Sequence, residues 1–290
     1  MAASPEPGAS VLDALTGDAR VVAAELRPPR AELEGPEGMD AWIDTYHAVH
    51  RLARSGTHVF LTDSAVGTRE EDNLRHLVAN LGRDVPRAGV VPFLTTKHTR
   101  EYCLSYAERA AHHGFPAMVV LGGDRAVGVP RCVEHAWELR ALIRDRVPGL
   151  VLGGWANPNA NADAQVAHLR DSRFTAEFYL TQIVSHHALA PVERFLDVCR
   201  REGVQTPGLF GVFYYRSANR KTLESLGQFL PVPSAELAAE FASGATAQTV
   251  CARTISALFA RGIRHVYISN LPLGRASQTL SQILALVEGV

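Results

Sequence analysis

Three polar residues close apolar runs in this chain, and all three are of types that move protons or hold heterocycles. Glu25 ends the run VVAAE, Asp124 follows AMVVLGG, and Gln182 ends FYLTQ. A carboxyl facing an apolar interior keeps its proton to higher pH than a solvated one, which suits a general acid. A second carboxyl and a carboxamide nearby would orient a polar ring. Thr62 closes HVFLT and is followed by Asp63-Ser64-Ala65, small residues that let a ligand approach the backbone, and Trp155 follows LVLGG with a flat ring to stack. Structural roles compete at every one of these positions. Glu25 can pair with Arg27 or Arg30, Asp124 can cap the segment after it, and Gln182 can satisfy backbone groups. His186-His187 would attract a metal, but on an extended segment adjacent side chains face opposite sides, so one ion is not expected to take both. His112-His113 closes a helical segment, where a cation complements the dipole. The four cysteines are at least 29 positions apart and form no C-x-x-C. They are expected to pack as small buried hydrophobes, and no metal site is expected.

Positioning such residues falls to a regular alternation that begins at residue 21. Short β-branched runs are separated by longer segments of helical period, the pattern of parallel strands joined by helical crossovers. The spacing predicts strands at 21–25, 58–62, 89–95, 117–122, 150–154, 178–182, 208–213 and 265–269. Helices are expected at 39–54, 69–82, 99–113, 131–145, 161–170, 191–202, 219–229, 246–262 and 275–287. Gly114, Gly203 and Gly262 follow periodic segments, as glycines just past a helix end do. Eight units in strict alternation close into a single (β/α)8 TIM barrel, with a doubly wound open sheet as the alternative. No linker divides the chain, so residues 21–290 are read as one barrel and residues 1–20 as a loose tail. In a barrel the βα loops converge on one face, and Glu25, Thr62, Asp124, Trp155 and Gln182 all fall at strand C-termini, the end where chemistry gathers.

A chain of 290 residues with 47% hydrophobic content suits one such barrel and one large core. Twenty-nine basic against 30 acidic residues give a net charge of −1, which supplies no field for nucleic acid or an anionic membrane. A small-molecule partner is expected instead. No segment reaches the roughly 18 apolar residues of a membrane span, and residues 1–18 carry no basic start with an apolar run, so a cytoplasmic protein is expected. A homo-oligomer is compatible with all of this.

The motifs at the strand ends, taken in order, resemble the methylenetetrahydrofolate reductase family from residue 21 to the end of the chain. Glu25-Leu26-Arg27-Pro28-Pro29-Arg30 is similar to that family's E-x-x-P-P-R, Leu121-Gly122-Gly123-Asp124 to L-R-G-D, and Leu180-Thr181-Gln182 to I-T-Q. Pro92-Phe93-Leu94-Thr95 matches P-H-L-T, Gly154-Trp155 stands where A-Y-P does, and Gly211-Val212-Phe213 where G-I-M does. The resemblance implies reduction of 5,10-methylenetetrahydrofolate to the 5-methyl form, within methionine biosynthesis, with FAD relaying hydride from NAD(P)H. Glu25 would protonate the folate so that its ring opens to an iminium. Asp124 would bond the pterin and tune the flavin, and Gln182 with Phe213 would orient the folate. Flavin contacts would come from Thr62, Ala65, Phe93, Gly123, Trp155, Asn159 and Arg170. Departures gather on the flavin: Phe93 stands for a His, Gly122 for an Arg, and a phosphate-holding Lys has no counterpart beyond Arg170 or Arg173 beside its place. Weak FAD affinity is therefore expected. The alternatives are a barrel that lacks FAD and passes hydride directly, one that acts on another substrate, and a non-catalytic binding subunit.

Overall fold

In the computed structural model, which describes residues 9–29, 35–63, 85–125 and 127–288, eight parallel strands close into a barrel in chain order. They are β1 (Val21–Leu26), β2 (Val59–Leu61), β3 (Val90–Thr95), β4 (Ala117–Leu121), β5 (Val151–Ala156), β6 (Phe178–Val184), β7 (Gly208–Phe213) and β8 (His265–Ser269). Closure is made by β1 on β8, with Val21 opposite His265 and Ala24 opposite Ile268. The (β/α)8 barrel expected from the alternation is what forms, and the open-sheet alternative falls away.

The α-helices among the described residues are α1 (Val11–Thr16), α2 (Gly35–Arg54), α3 (Arg100–His112), α4 (Ala136–Arg146), α5 (Ala162–Arg170), α6 (Ala190–Arg201), α7 (Arg220–Gly227), α8 (Ser234–Ala242), α9 (Ala247–Phe259) and α10 (Ala276–Glu288). Their starts are written in the sequence. Thr99, Asn161, Asn219 and Thr246 each accept a backbone N–H from the first turn of α3, α5, α7 and α9, satisfying donors that no helical carbonyl can reach. Gly114, Gly203 and Gly262 sit beyond α3, α6 and α9 at φ of 82°, 66° and 81°, as expected of helix-ending glycines. The helix expected over 69–82 lies outside the described residues.

Two helices were not foreseen. α1 falls within the stretch read as a loose tail, yet Ser10 caps it and Val11 and Leu15 are buried in the same cluster as Val21, Ala23 and Phe60 from the barrel interior. It stoppers the N-terminal end of the barrel. The tie is reinforced by Arg264, which donates to the Gly17 carbonyl at 2.9 Å, and by the His58 ring, 3.3 Å from the Ala9 carbonyl. α8 follows Pro231-Val232-Pro233, a stretch that reads as a turn, and it carries the buried Glu240 discussed below.

Alternation along each strand sorts the side chains. Ala23, Phe60, Phe93, Val119, Leu180 and Tyr267 fill the barrel interior. Ala24, Leu61, Leu94, Val120 and Ile268 face the helices. Interior residues continued two positions toward each C-terminus give the floor of the open end.

Candidate functional site

That continuation places Glu25, Thr62, Gly123, Trp155, Phe213 and Ser269 at the top of the interior, one step above Ala23, Phe60, Leu121, Gly153, Gly211 and Tyr267, while on β6 a register shift makes Ile183 the next inward residue after Leu180 and sets Gln182 in the bulge between them. Glu25 lies opposite Phe60 on β2. Its floor is aromatic: the Phe60 ring stands 5.9 Å from that of Phe93 and 6.4 Å from that of Tyr267. Burial over this floor raises the Glu25 carboxyl above its ordinary value, opposed only by one hydrogen bond, in which Ser269 Oγ donates to Oε1 at 2.5 Å. The partner is a hydroxyl; the arginine pairing open in the sequence does not occur with Arg27, and Arg30 lies outside the described residues. A protonated acid on an apolar floor can give its proton to a bound base.

Tyr267 stiffens this corner. Its phenol donates to the Thr181 carbonyl at 2.5 Å, and burial followed by the nearby Glu25 charge holds it well above the usual phenol range. Gly211 makes the reach possible, since a Cβ there would sit 2.6 Å from the Tyr267 oxygen. Thr181 turns its own hydroxyl to accept the Gly211 N–H at 3.1 Å.

Across the mouth β6 is irregular. Its register against β7 shifts between Leu180 and Ile183, so Gln182 sits in a bulge of the kind that re-aims side chains near active sites. Gln182 Oε1 accepts the Ile183 N–H at 2.9 Å, which leaves its Nε2 donors for another acceptor. Asn159 Nδ2 donates to the Ile183 carbonyl at 3.0 Å, tying the loop after β5 to the same bulge. Trp155 pairs in register with Leu180, and Phe213, nearly buried, lies with its ring centroid 4.9 Å from that of Tyr215. Glu25, Thr62, Gly123, Trp155, Asn159, Gln182 and Phe213 thus share one end of the barrel.

Three expected residues sit otherwise. Asp124 lies in the loop beyond β4, and its Oδ1 accepts the Val127 N–H at 3.2 Å, the capping use that the sequence left open. Phe93 is a buried part of the interior packing, one layer below the mouth. Arg170 ends α5 at the opposite face of the barrel, where the chain turns to enter β6, and its Nη1 meets Glu202 at 2.5 Å. Ala65 lies outside the described residues. With Arg170 at the far end and Phe93 packed below, the described residues do not fit FAD in the manner the resemblance implies.

Sequence reasoning missed several polar residues here. Ser269 is the last inward position of β8, and only barrel closure brings it beside Glu25; counting strand parity on β8 would have found it. Asp63 Oδ2 accepts from the Thr95 N–H at 2.6 Å and from its hydroxyl at 3.0 Å, while His98 Nε2 lies 2.9 Å from the carboxylate. That network locks the ends of β2 and β3. Arg131 lays its guanidinium over Gly122, where a Cβ would be 2.9 Å from Cζ, and it donates to the Gly123 carbonyl. The guanidinium that the resemblance expects within the strand end is brought there from nine residues further along.

His186 and His187 also depart from expectation. Beyond β6 the chain turns, with Ala188 N–H donating to the Ser185 carbonyl at 3.0 Å, and the two imidazoles lie on one side with centroids 3.9 Å apart. The premise of an extended segment fails.

No protein-family model matches the chain, and no curated protein does. Among solved structures it is similar to an uncharacterised protein from Clostridium thermocellum that binds two copies of 5-methyl-5,6,7,8-tetrahydrofolic acid. The TM-score is 0.66 at 16% identity, over 96% of this chain and 97% of that one. It is also similar to a protein of Pseudomonas aeruginosa assigned as a dihydrodipicolinate synthetase, at TM-score 0.54 and 11% identity, over 94% of this chain and 78% of that one. At these identities the likeness shows a fold, the closed (β/α)8 barrel, over essentially the whole of the chain.

Proposed function

We propose that the open end of this barrel binds a reduced folate and that Glu25 is its proton donor. The observation that carries the reading is Glu25 itself, a carboxyl raised by burial at the top of the barrel, with a hydroxyl as its hydrogen-bond partner and an aromatic floor beneath. The Clostridium barrel supports the choice of ligand, because it has the same architecture and its ligand is a tetrahydrofolate.

The reaction is reduction of 5,10-methylenetetrahydrofolate. The Glu25 proton passes to a bridging nitrogen of the folate, the carbon–nitrogen bond opens, and an iminium remains on the other nitrogen. Hydride from a reduced nicotinamide adds to the methylene carbon, which becomes the methyl group as the nicotinamide is oxidised. Glu25 then regains a proton from water. Gln182 Nε2 donates to the pterin and Trp155 stacks on a ring, roles that position without exchanging protons. No step is assigned to FAD, given where Phe93 and Arg170 lie. The same misfit favours a second reading, a barrel that binds folate without turning it over.

Incubation of the purified protein with 5,10-methylenetetrahydrofolate and NADH or NADPH separates them. Formation of the 5-methyl product with matching nicotinamide oxidation supports the reductase. Binding without product supports the second reading, and absence of folate binding defeats both.

A further inference from the structure

His186, His187 and Glu240 converge on one point outside the barrel mouth, between the end of β6 and the helices α8 and α9. The Nε2 atoms of His186 and His187 lie 3.3 and 2.9 Å from the same Glu240 oxygen, Oε2, and one ligand atom of each residue falls within 4.8 Å of the others. Glu240 is buried to 7% side-chain exposure. Its other oxygen, Oε1, is held by Arg253. Thr254 Oγ1 lies 2.8 Å from His186 Nδ1 and 3.3 Å from the Val250 carbonyl. With Thr254 accepting from Nδ1–H, His186 Nε2 is the nitrogen that would face an ion. His187 can supply one N–H to Oε2. Two imidazole nitrogens thus crowd one carboxylate oxygen, and their ring centroids stand 3.9 Å apart.

We propose that His186, His187 and Glu240 form a binding site for a divalent first-row transition-metal ion of the zinc type. A cation at the point of convergence would meet a ligand atom of each residue. Two imidazoles and one carboxylate are the donor set of zinc centres with an open fourth position, and ligands about 2.0–2.1 Å from a tetrahedral ion stand roughly 3.3 Å apart, close to the separations here. Thr254 on His186 and Arg253 on Glu240 are the outer partners that such ligands need to hold their orientation. The imidazoles retain 15% and 18% exposure, which leaves a way in for the ion. Nothing in this site depends on the folate reading.

The untagged full-length protein, stripped with chelator, is titrated with Co2+ and then with Zn2+. One Co2+ per chain with visible ligand-field absorption, displaced by Zn2+, is expected, and the double variant His186→Ala with His187→Ala should bind none at that stoichiometry. If the double variant fails to fold by circular dichroism, Thr254 gives a gentler arm. Thr254→Ser should bind as the parent does, while Thr254→Val loses the Nδ1 partner and should bind about ten- to a hundredfold more weakly. Failure of the parent protein to bind either ion, or equal binding in Thr254→Ser and Thr254→Val, overturns the site.

Discussion

Two carboxyls in this barrel, Glu25 half-buried at the mouth and Glu240 buried beside it, have opposite surroundings. Glu25 lies opposite Phe60, near Tyr267 and bonded to the Ser269 hydroxyl, and burial outweighs that single bond and raises it. Burial also pushes Glu240 upward, yet hydrogen bonds from Arg253 and His187 and the two imidazoles prevail, and the net shift is downward. Among the described residues, one acid has only a hydroxyl for company and is raised, and the other is surrounded by cationic and imidazole groups and is lowered. The contrast teaches that depth alone does not set the role. A carboxyl with a hydroxyl neighbour can give up a proton, whereas one clasped by cationic and imidazole groups holds structure or a metal.

The largest way to break the contrast is Glu25→Gln. Turnover of methylenetetrahydrofolate should fall by about 10²- to 10⁴-fold, the usual contribution of a positioned general acid, while folate binding is retained. Steady-state rates beside a binding titration check it, and a rate within tenfold of wild type removes Glu25 from the chemistry. At the other acid, Glu240→Gln should destabilise the fold by about 1–3 kcal/mol, because Arg253 and two imidazoles lose their anion in a largely dry place. Chemical denaturation measures this, and an unchanged midpoint would show the network to be idle.

A smaller effect runs through pH. The folded Glu25 carboxyl is raised above its unfolded value near 4.5, so its share of stability is intact below that value and is lost as pH rises through the folded one. Gln does not titrate. The stability of Glu25→Gln minus that of wild type should therefore increase from acid toward neutral pH, and a value that stays constant or falls over that range would contradict the raised carboxyl. Asp124→Asn should change least. Asn keeps the oxygen that accepts the Val127 N–H, so stability should move by less than about 0.5 kcal/mol and folate affinity by less than tenfold. A larger loss of affinity would return Asp124 to the ligand.

What the sequence disclosed follows from how local each signal is. All eight strands stand where β-branched runs such as VVAAE and HVYIS put them, since buried parallel strands must be apolar on both faces. Glu25 and Gln182 were legible because each is the polar end of such a run. α1 was not, because six residues show no helical period and it is packing under Val21 and Phe60 that supports them. Ser269 depends on closure of β8 against β1, a contact spanning almost the whole chain. The convergence of His186 with His187 depends on a turn at Ser185, and adjacency in sequence argued the other way. Arg170 was carried to the site by resemblance, while the end of α5 that holds it lies at the opposite face.

The central claim is that a folate meets a protonated Glu25 at the open end, and the pH dependence of 5-methyltetrahydrofolate binding tests it most directly. Affinity is titrated by ligand fluorescence or absorbance from pH 5 to 9 in wild type and in Glu25→Gln. Wild type should lose affinity as pH rises through the raised Glu25 value, since the donor proton is then gone, and the Gln variant, whose carboxamide N–H is always present, should stay flat. No binding at any pH, or the same pH dependence in both proteins, would contradict the claim.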